Sequence, residues 1–287
     1  MDTEKLLIIQ KEWAEKSLSL MRDLLPLMGV FAKSPNLGDH ERSSLGMLLA
    51  AAARSTESAF LLIAYGQLWD AEIVIRSVFE ASLKFAFIVQ TPEEFQQKLK
   101  EFAEDQFDLA ILKDDKKARD LLAGLQDADA PEWRPFRDMV ISDIERDELG
   151  NRYDKTTRRS MTTRWGYAGI LGALERSGDP FYKNFSGLSF SYSMASHIQH
   201  ADYVGISMPS ERANRSCEDQ NSVHLAHMAR LLSDCFTCFL FRLMAAYRFA
   251  DSDLKVVNEA AKKIKIFMAG MGYTQKQWIE REYGDTH

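Results

Sequence analysis

A chain of 287 residues with 46% hydrophobic content can bury a substantial core, enough for one large domain or a domain with an insertion, without covalent staples. Its formal net charge of -6 argues against a protein that coats nucleic acid along its whole surface. Three cysteines, Cys217, Cys235 and Cys238, are odd in number and sit in helical pattern, which speaks against a disulfide framework and for a reducing compartment, the cytoplasm. The start, Met1 to Lys5, lacks the basic region and cleavage signal of a secretory leader, and Arg242 and Arg248 interrupt the most apolar late stretch, so no membrane anchor is expected.

Nearly every periodic stretch reads as helix. Leu6, Ile9, Trp13, Leu18, Met21 and Leu25 recur at three- and four-residue spacing, predicting a helix over Thr3 to Ala32 with a kink at Pro26. A second runs from Glu41 to Tyr65, ended by Gly66, and a third from Trp69 to Gln90. Thr91-Pro92-Glu93-Glu94 reads as N-cap, first-turn proline and N3 glutamate of a fourth, reaching Leu125. Pro131, Pro135 and Gly150 break Asp127 to Asn151 into short helices and loops. Helices resume over Thr162 to Arg176 and Asn184 to Tyr203, with a break at Gly178-Asp179-Pro180. Ser210 to Asn221 reads as a polar loop with a short turn. Ser222 to Phe249 is a long helix, followed by Asp251 to Met268 and, with Thr274 as N-cap, Gln275 to Tyr283. No alternating strand pattern, solenoid period or low-complexity tract occurs. The prediction is an all-α multi-helix bundle, one large domain over 1–287. Within it 1–40 is a long N-terminal helix, 127–160 an irregular charged segment and 251–287 a helical extension.

Charge is unevenly spread. Glu93 to Glu148 holds seventeen acidic against nine basic residues, a net of -8, whereas Arg152, Lys155, Arg158, Arg159 and Arg164 against Asp154 give +4. That swing suits a basic docking strip beside an acidic face, or simply a solvated loop and helix end. In the third helix Glu72, Arg76, Glu80 and Lys84 recur every four residues among Ile73, Val74, Ile75, Val78 and Phe79. This ladder is either the wet edge of a core helix or a buried seam needing polar partners. Four of the six histidines, His197, His200, His224 and His227, fall within thirty-one residues, and His200 ends a Tyr192, Ser196, His200 spacing of i, i+4, i+8. An imidazole can serve as base, acid or ligand near neutral pH, so this is where chemistry is sought.

The stretch Ala71-Glu72-Ile73-Val74-Ile75-Arg76-Ser77-Val78-Phe79-Glu80-Ala81, followed by Tyr192-Ser193-Met194-Ala195-Ser196-His197-Ile198-Gln199-His200, resembles the signature of a bacterial helical family catalogued as domain of unknown function 5677. There an Arg-Ser-x-x-Glu helix is paired with a later Tyr-x-x-x-Ser-x-x-x-His helix, and the resemblance spans roughly Arg54 to Arg242. It carries over Arg76, Ser77, Glu80, Tyr192, Ser196 and His200 as one arrangement and implies no particular reaction.

With Glu72–Ser82 and Ser189–Tyr203 as facing central helices, Arg76, Glu80, Tyr192, Ser196 and His200 form the candidate catalytic centre. Three readings of it stay open. A structural network fixing helix register would belong to an interaction or sensing module. The all-helical build with an Arg/His centre is also similar to HEPN-type ribonucleases and nucleotide-binding proteins of defence or toxin systems, with Arg76 neutralising a phosphate and His200 moving a proton. Those nucleases usually carry arginine four to six residues before histidine on one helix, a spacing not found between His197 and His227. The third reading is a metal enzyme using the His197/His200 and His224/His227 pairs with Glu57 or Glu80, although the repeats of di-iron bundles and zinc peptidases are missing. No cofactor is called for. The partners expected are an RNA or nucleotide, a protein partner or a second copy of the chain, and no membrane. Cys235-Phe236-Thr237-Cys238 reads as core packing. Arg54-Ser55-Thr56-Glu57 echoes Arg76-Ser77-Val78-Phe79-Glu80 with one residue fewer and receives no role.

Overall fold

Pro26 sits where the first helix changes character: α1 runs Thr3–Leu24, a 3-10 turn takes Leu25–Met28, and α2 is the short Gly29–Ala32. Proline lacks an N–H and fits the first turn of a new segment, so the expected kink becomes a break into three pieces. The computed structural model describes residues 3–34, 37–183, 185–272 and 280, and no strand occurs among the described residues. The protein is an all-α, multi-helix structure.

Two long helices, α3 (Asp39–Ala64) and α4 (Leu68–Ile88), form a tight hairpin. Its turn needs Gly66, whose φ of +80° lies in the left-handed region that a Cβ disfavours. α3 is long and apolar enough to cross a membrane, but here it packs along α1 and α4 and buries Leu45, Ala52, Phe60 and Ile63.

By its internal packing the chain divides into two compact units: residues up to Gln90 with those from Leu174 onward, and Thr91–Ala173. In the second unit, α5 (Pro92–Lys100) continues through a π-helical turn, Glu101–Asp105, into α6 (Gln106–Ala123). Thr91 is extended and starts α5, but its side chain makes no capping hydrogen bond, and Glu94 pairs with Lys98 at 2.7 Å. After the 3-10 turn Pro131–Trp133 come α7 (Arg134–Arg137), α8 (Asp143–Arg152), α9 (Lys155–Arg164) and α10 (Tyr167–Arg176). The short helices and loops expected over Asp127 to Asn151 are the 3-10 turn, α7 and α8, and α9 begins within the charged segment 127–160. The caps of α8 and α9 are legible in the sequence: Ser142 accepts from the Glu145 N–H at 3.2 Å and Asp154 from the Thr157 N–H at 2.7 Å. Leu109, Leu112, Leu149 and Tyr153 form the unit's small core. The basic strip is largely tied internally, Arg152 to Asp108 at 2.9 Å, Arg158 to the Tyr153 carbonyl at 2.6 Å and Arg164 to Glu101 at 3.3 Å.

The chain re-enters the first unit at Leu174, in the last turn of α10, and continues through α11 (Pro180–Lys183) and a 3-10 turn, Ser186–Leu188. There follow α12 (Ser189–His200), α13 (Tyr203–Ala213), α14 (Cys217–Phe249) and α15 (Lys255–Gly270). The last turn of α13 and the first turn of α14 lie within the expected polar loop, leaving only 214–216 outside helices. Asp202 caps α13 by accepting from the Gly205 N–H at 3.0 Å, and Ser216 caps α14 through the Asp219 N–H at 3.2 Å. Ala201, at φ 48°, turns the chain between α12 and α13, and a Cβ on Gly205 would run into the His197 carbonyl. The expected helix Gln275–Tyr283 with its Thr274 cap lies outside the described residues. α4 is the axis of the unit, packed on α3, α12 and α14, with Phe79 and Phe85 fully buried and Phe60 against Phe236 at 6.0 Å. Cys235 and Cys238 are core residues of α14.

Candidate functional site

The packing of α4 on α12 brings Arg76 to Tyr192. Arg76 Nη2 donates to the Tyr192 hydroxyl at 2.9 Å, and that hydroxyl donates to Glu80 Oε1 at 3.0 Å. Arg76 Nη2 lies 3.4 Å from the same carboxylate oxygen, Lys84 Nζ is 3.8 Å from the other, and the guanidinium stacks 4.8 Å above the Tyr192 ring. Arg76 Nη1 donates to the Gln199 side-chain carbonyl. Burial, opposed by the Arg76 hydrogen bond and aided by the Glu80 charge, raises the Tyr192 phenol above its ordinary value, so it stays a neutral donor.

Arg76, Glu80 and Tyr192 are therefore joined, while no hydrogen bond among the described residues brings Ser196 or His200 into the cluster, and His200 is exposed. Helix geometry explains the difference. At about 100° per residue, position i+7 returns to within about 20° of i, whereas i+8 is rotated by about 80°. Gln199, seven residues after Tyr192, shares its face. His200 does not. Sequence reasoning missed Gln199 because it extended the i+4 step once too often.

The ladder divides. Glu72, only 3% exposed, leaves it for a buried network. It accepts from Arg230 Nη2 at 2.7 Å and lies 2.8 Å from His227 Nε2, while Arg230 Nη1 reaches Asp234 and the Ser191 hydroxyl, both at 3.2 Å. Arg212 Nη1 lies 3.1 Å from His227 Nδ1 and stacks on Trp69 at 4.7 Å. A guanidinium can only donate, so Nδ1 is the acceptor and the neutral ring gives its Nε2 proton to Glu72. Burial accordingly pushes His227 down to about 4, against the pull of Glu72. Burial alone would raise Glu72, but the His227 hydrogen bond and the Arg230 charge hold it below its ordinary value. Burial lifts Asp234 to about 6 despite Arg230. These groups lock α4 to α12 and α14.

The other imidazoles go elsewhere. His197 Nδ1 lies 2.6 Å from Asp202, and His224 bonds to Gln10, which in turn donates to the Ile63 carbonyl. The two His-x-x-His pairs thus diverge, and among the described residues no three His, Cys, Asp or Glu side chains are grouped as ligands of one ion.

Beside the Arg76 cluster an open cleft of about 510 Å³ lies between α3, α4 and α12, lined by Arg54, Ser55, Ser58, Arg76, Ser77 and Glu80, with Ile73 and Val74 as apolar wall. Arg76 Nε is enclosed and has no hydrogen-bond partner among the described residues.

The model of a family of unknown function, DUF5677, matches residues 43–216, more than half of the chain. The chain belongs to this family. No curated protein matches it. No solved structure matches it either. In this DUF5677 protein the matched span holds Arg54, Arg76, Glu80, Tyr192 and Gln199, whereas Glu72's partners on α14, His227 and Arg230, lie beyond it.

Proposed function

We propose that this protein is a nucleotide-binding helical protein, and that the cleft beside Arg76 takes the phosphate. The observation that carries the reading is the cleft itself, about 510 Å³ and lined by two arginines, three serine hydroxyls and an apolar strip. Pockets of about 300–1,000 Å³ with a few convergent polar groups on an apolar wall suit small organic ligands. Arg76 is pre-oriented by Tyr192 and Gln199, which lowers the entropy lost when it grips a phosphate. The Glu80 carboxylate does not repel such a ligand outright, since Tyr192 donates to it and Arg76 and Lys84 flank it. Residence in the cytoplasm belongs to this proposal and rests on three free thiols, two of them buried.

A HEPN-type ribonuclease would need His200 at the scissile phosphate beside Arg76. His200 has no bond to the cluster, so the nucleotide-binding half of that expectation is the one carried forward. A second reading, a structural centre in an interaction or sensing module, is favoured by the mutual satisfaction of Arg76, Tyr192, Glu80 and Gln199. Calorimetric titration with AMP, paired with thermal melts, separates the two. Nucleotide binding predicts AMP affinity in the parent and its loss in Arg76→Ala. A structural centre predicts no AMP binding in the parent and a lowered melting temperature in the variant.

A further inference from the structure

The echo between Arg54-Ser55 and Arg76-Ser77 acquires a geometry in the α3/α4 hairpin. Arg54 lies twelve residues before Gly66 and Arg76 ten after it. At about 1.5 Å per residue the two arginines stand about 18 and 15 Å from the turn, level to within about 3 Å. Both line the same cleft, as do Ser55 and Ser77. Arg54 is exposed and forms no hydrogen bond or ion pair among the described residues, and neither do the hydroxyls of Ser55, Ser58 and Ser77. The cleft therefore has two guanidiniums, one fixed and one unengaged, each followed by a serine donor on its own helix. One such pair, a guanidinium and a hydroxyl, can hold a single phosphate. Two pairs at the same height suit two linked phosphates.

We infer that the cleft is a diphosphate site. Arg76 with Ser77 holds one phosphate, Arg54 with Ser55 the other, and the Ile73/Val74 wall faces the nucleoside of a nucleoside diphosphate. The bounded volume favours this over an RNA strand, which needs a continuous basic groove. The inference rests on the nucleotide-binding reading and narrows it.

The test is calorimetric titration of the full chain in metal-free buffer with inorganic phosphate, pyrophosphate, AMP and ADP, on the parent, Arg54→Ala, Arg54→Lys, Arg76→Ala and Arg76→Lys. Pyrophosphate and ADP should bind at least about tenfold tighter than phosphate and AMP, the gain of a second charge-assisted contact. Arg54→Ala should weaken pyrophosphate and ADP more than phosphate and AMP and so erase that advantage, and Arg54→Lys should restore part of it. The Arg76 variants should weaken all four ligands. Equal affinities for mono- and diphosphates in the parent, or equal weakening of all four by Arg54→Ala, would overturn the inference while Arg76-dependent AMP binding still upheld the underlying reading. No binding of any of the four overturns both. A short oligoribonucleotide binding more tightly than ADP, with the same Arg54 dependence, would replace the nucleotide by RNA.

Discussion

Removing the Glu72 carboxylate perturbs the buried network at its centre. In Glu72→Ala the neutral His227 loses the acceptor of its Nε2 proton, now 2.8 Å away, and Arg230 loses the closer of its two carboxylates, at 2.7 Å against 3.2 Å for Asp234. An unpaired buried donor costs about 1–3 kcal/mol and a lost charged hydrogen bond about 1.5–3 kcal/mol. Arg230 keeps Asp234 and Ser191 and is only partly buried, so the sum falls at about 3–4 kcal/mol, the lower part of the range for broken buried pairs. At roughly 2–4 °C per kcal/mol the melting temperature should drop by about 10 °C. Glu72→Gln keeps a carbonyl for His227 and should lose about half as much. Thermal and urea melts of Glu72→Ala, His227→Ala and the double variant provide the measurement, with a coupling of about 0.5–3 kcal/mol expected. A Glu72→Ala melt within about 2 °C of the parent, or strictly additive costs, would refute the claim that these groups form one buried network.

Opposed titrations in that network make its pH dependence specific. His227, depressed from 6.5 to about 4, contributes stability that is present above 6.5 and lost on acidification through 4, whereas Asp234, raised from 3.8 to about 6, contributes stability that is lost as pH rises through 6. The melting difference between Asp234→Asn and the parent should therefore grow more positive from pH 4 to 6, and that for His227→Gln more negative from pH 4 to 6.5; flat differences would contradict the assigned states. Cys217 is exposed while burial drives the Cys235 and Cys238 thiols up, the latter to about 12, so a thiol reagent should label one cysteine in the native protein and three after denaturation. His200→Ala, at an exposed position with no side-chain hydrogen bond among the described residues, should change stability by less than about 0.5 kcal/mol and leave AMP affinity intact, and RNA cleavage by the parent that this variant lost would reinstate the nuclease reading.

The helices were legible because their apolar periods are long, and the Arg76, Glu80 and Tyr192 centre because ladder and line both step by four. The rest required the third dimension. Glu72 belongs to the same ladder, yet the packing of α14 draws it inward to His227 and Arg230, whose spacing of three on α14 carried no signal of a partner 155 residues earlier. α13 was hidden by Pro209 and a polar sequence, although Asp202 announces its start. Arg54 could be noticed only as an echo, and the hairpin turn at Gly66 makes it a neighbour across the cleft.

Whether the cleft beside Arg76 receives a phosphate is read directly from a crystal structure of the full chain grown with saturating ADP. Phosphate oxygens should lie within about 3 Å of the Arg76 guanidinium, with Ser77 donating and Tyr192 still bonded to Arg76. ADP bound elsewhere, with the cleft empty and Arg76 held only by Tyr192, Glu80 and Gln199, would contradict it.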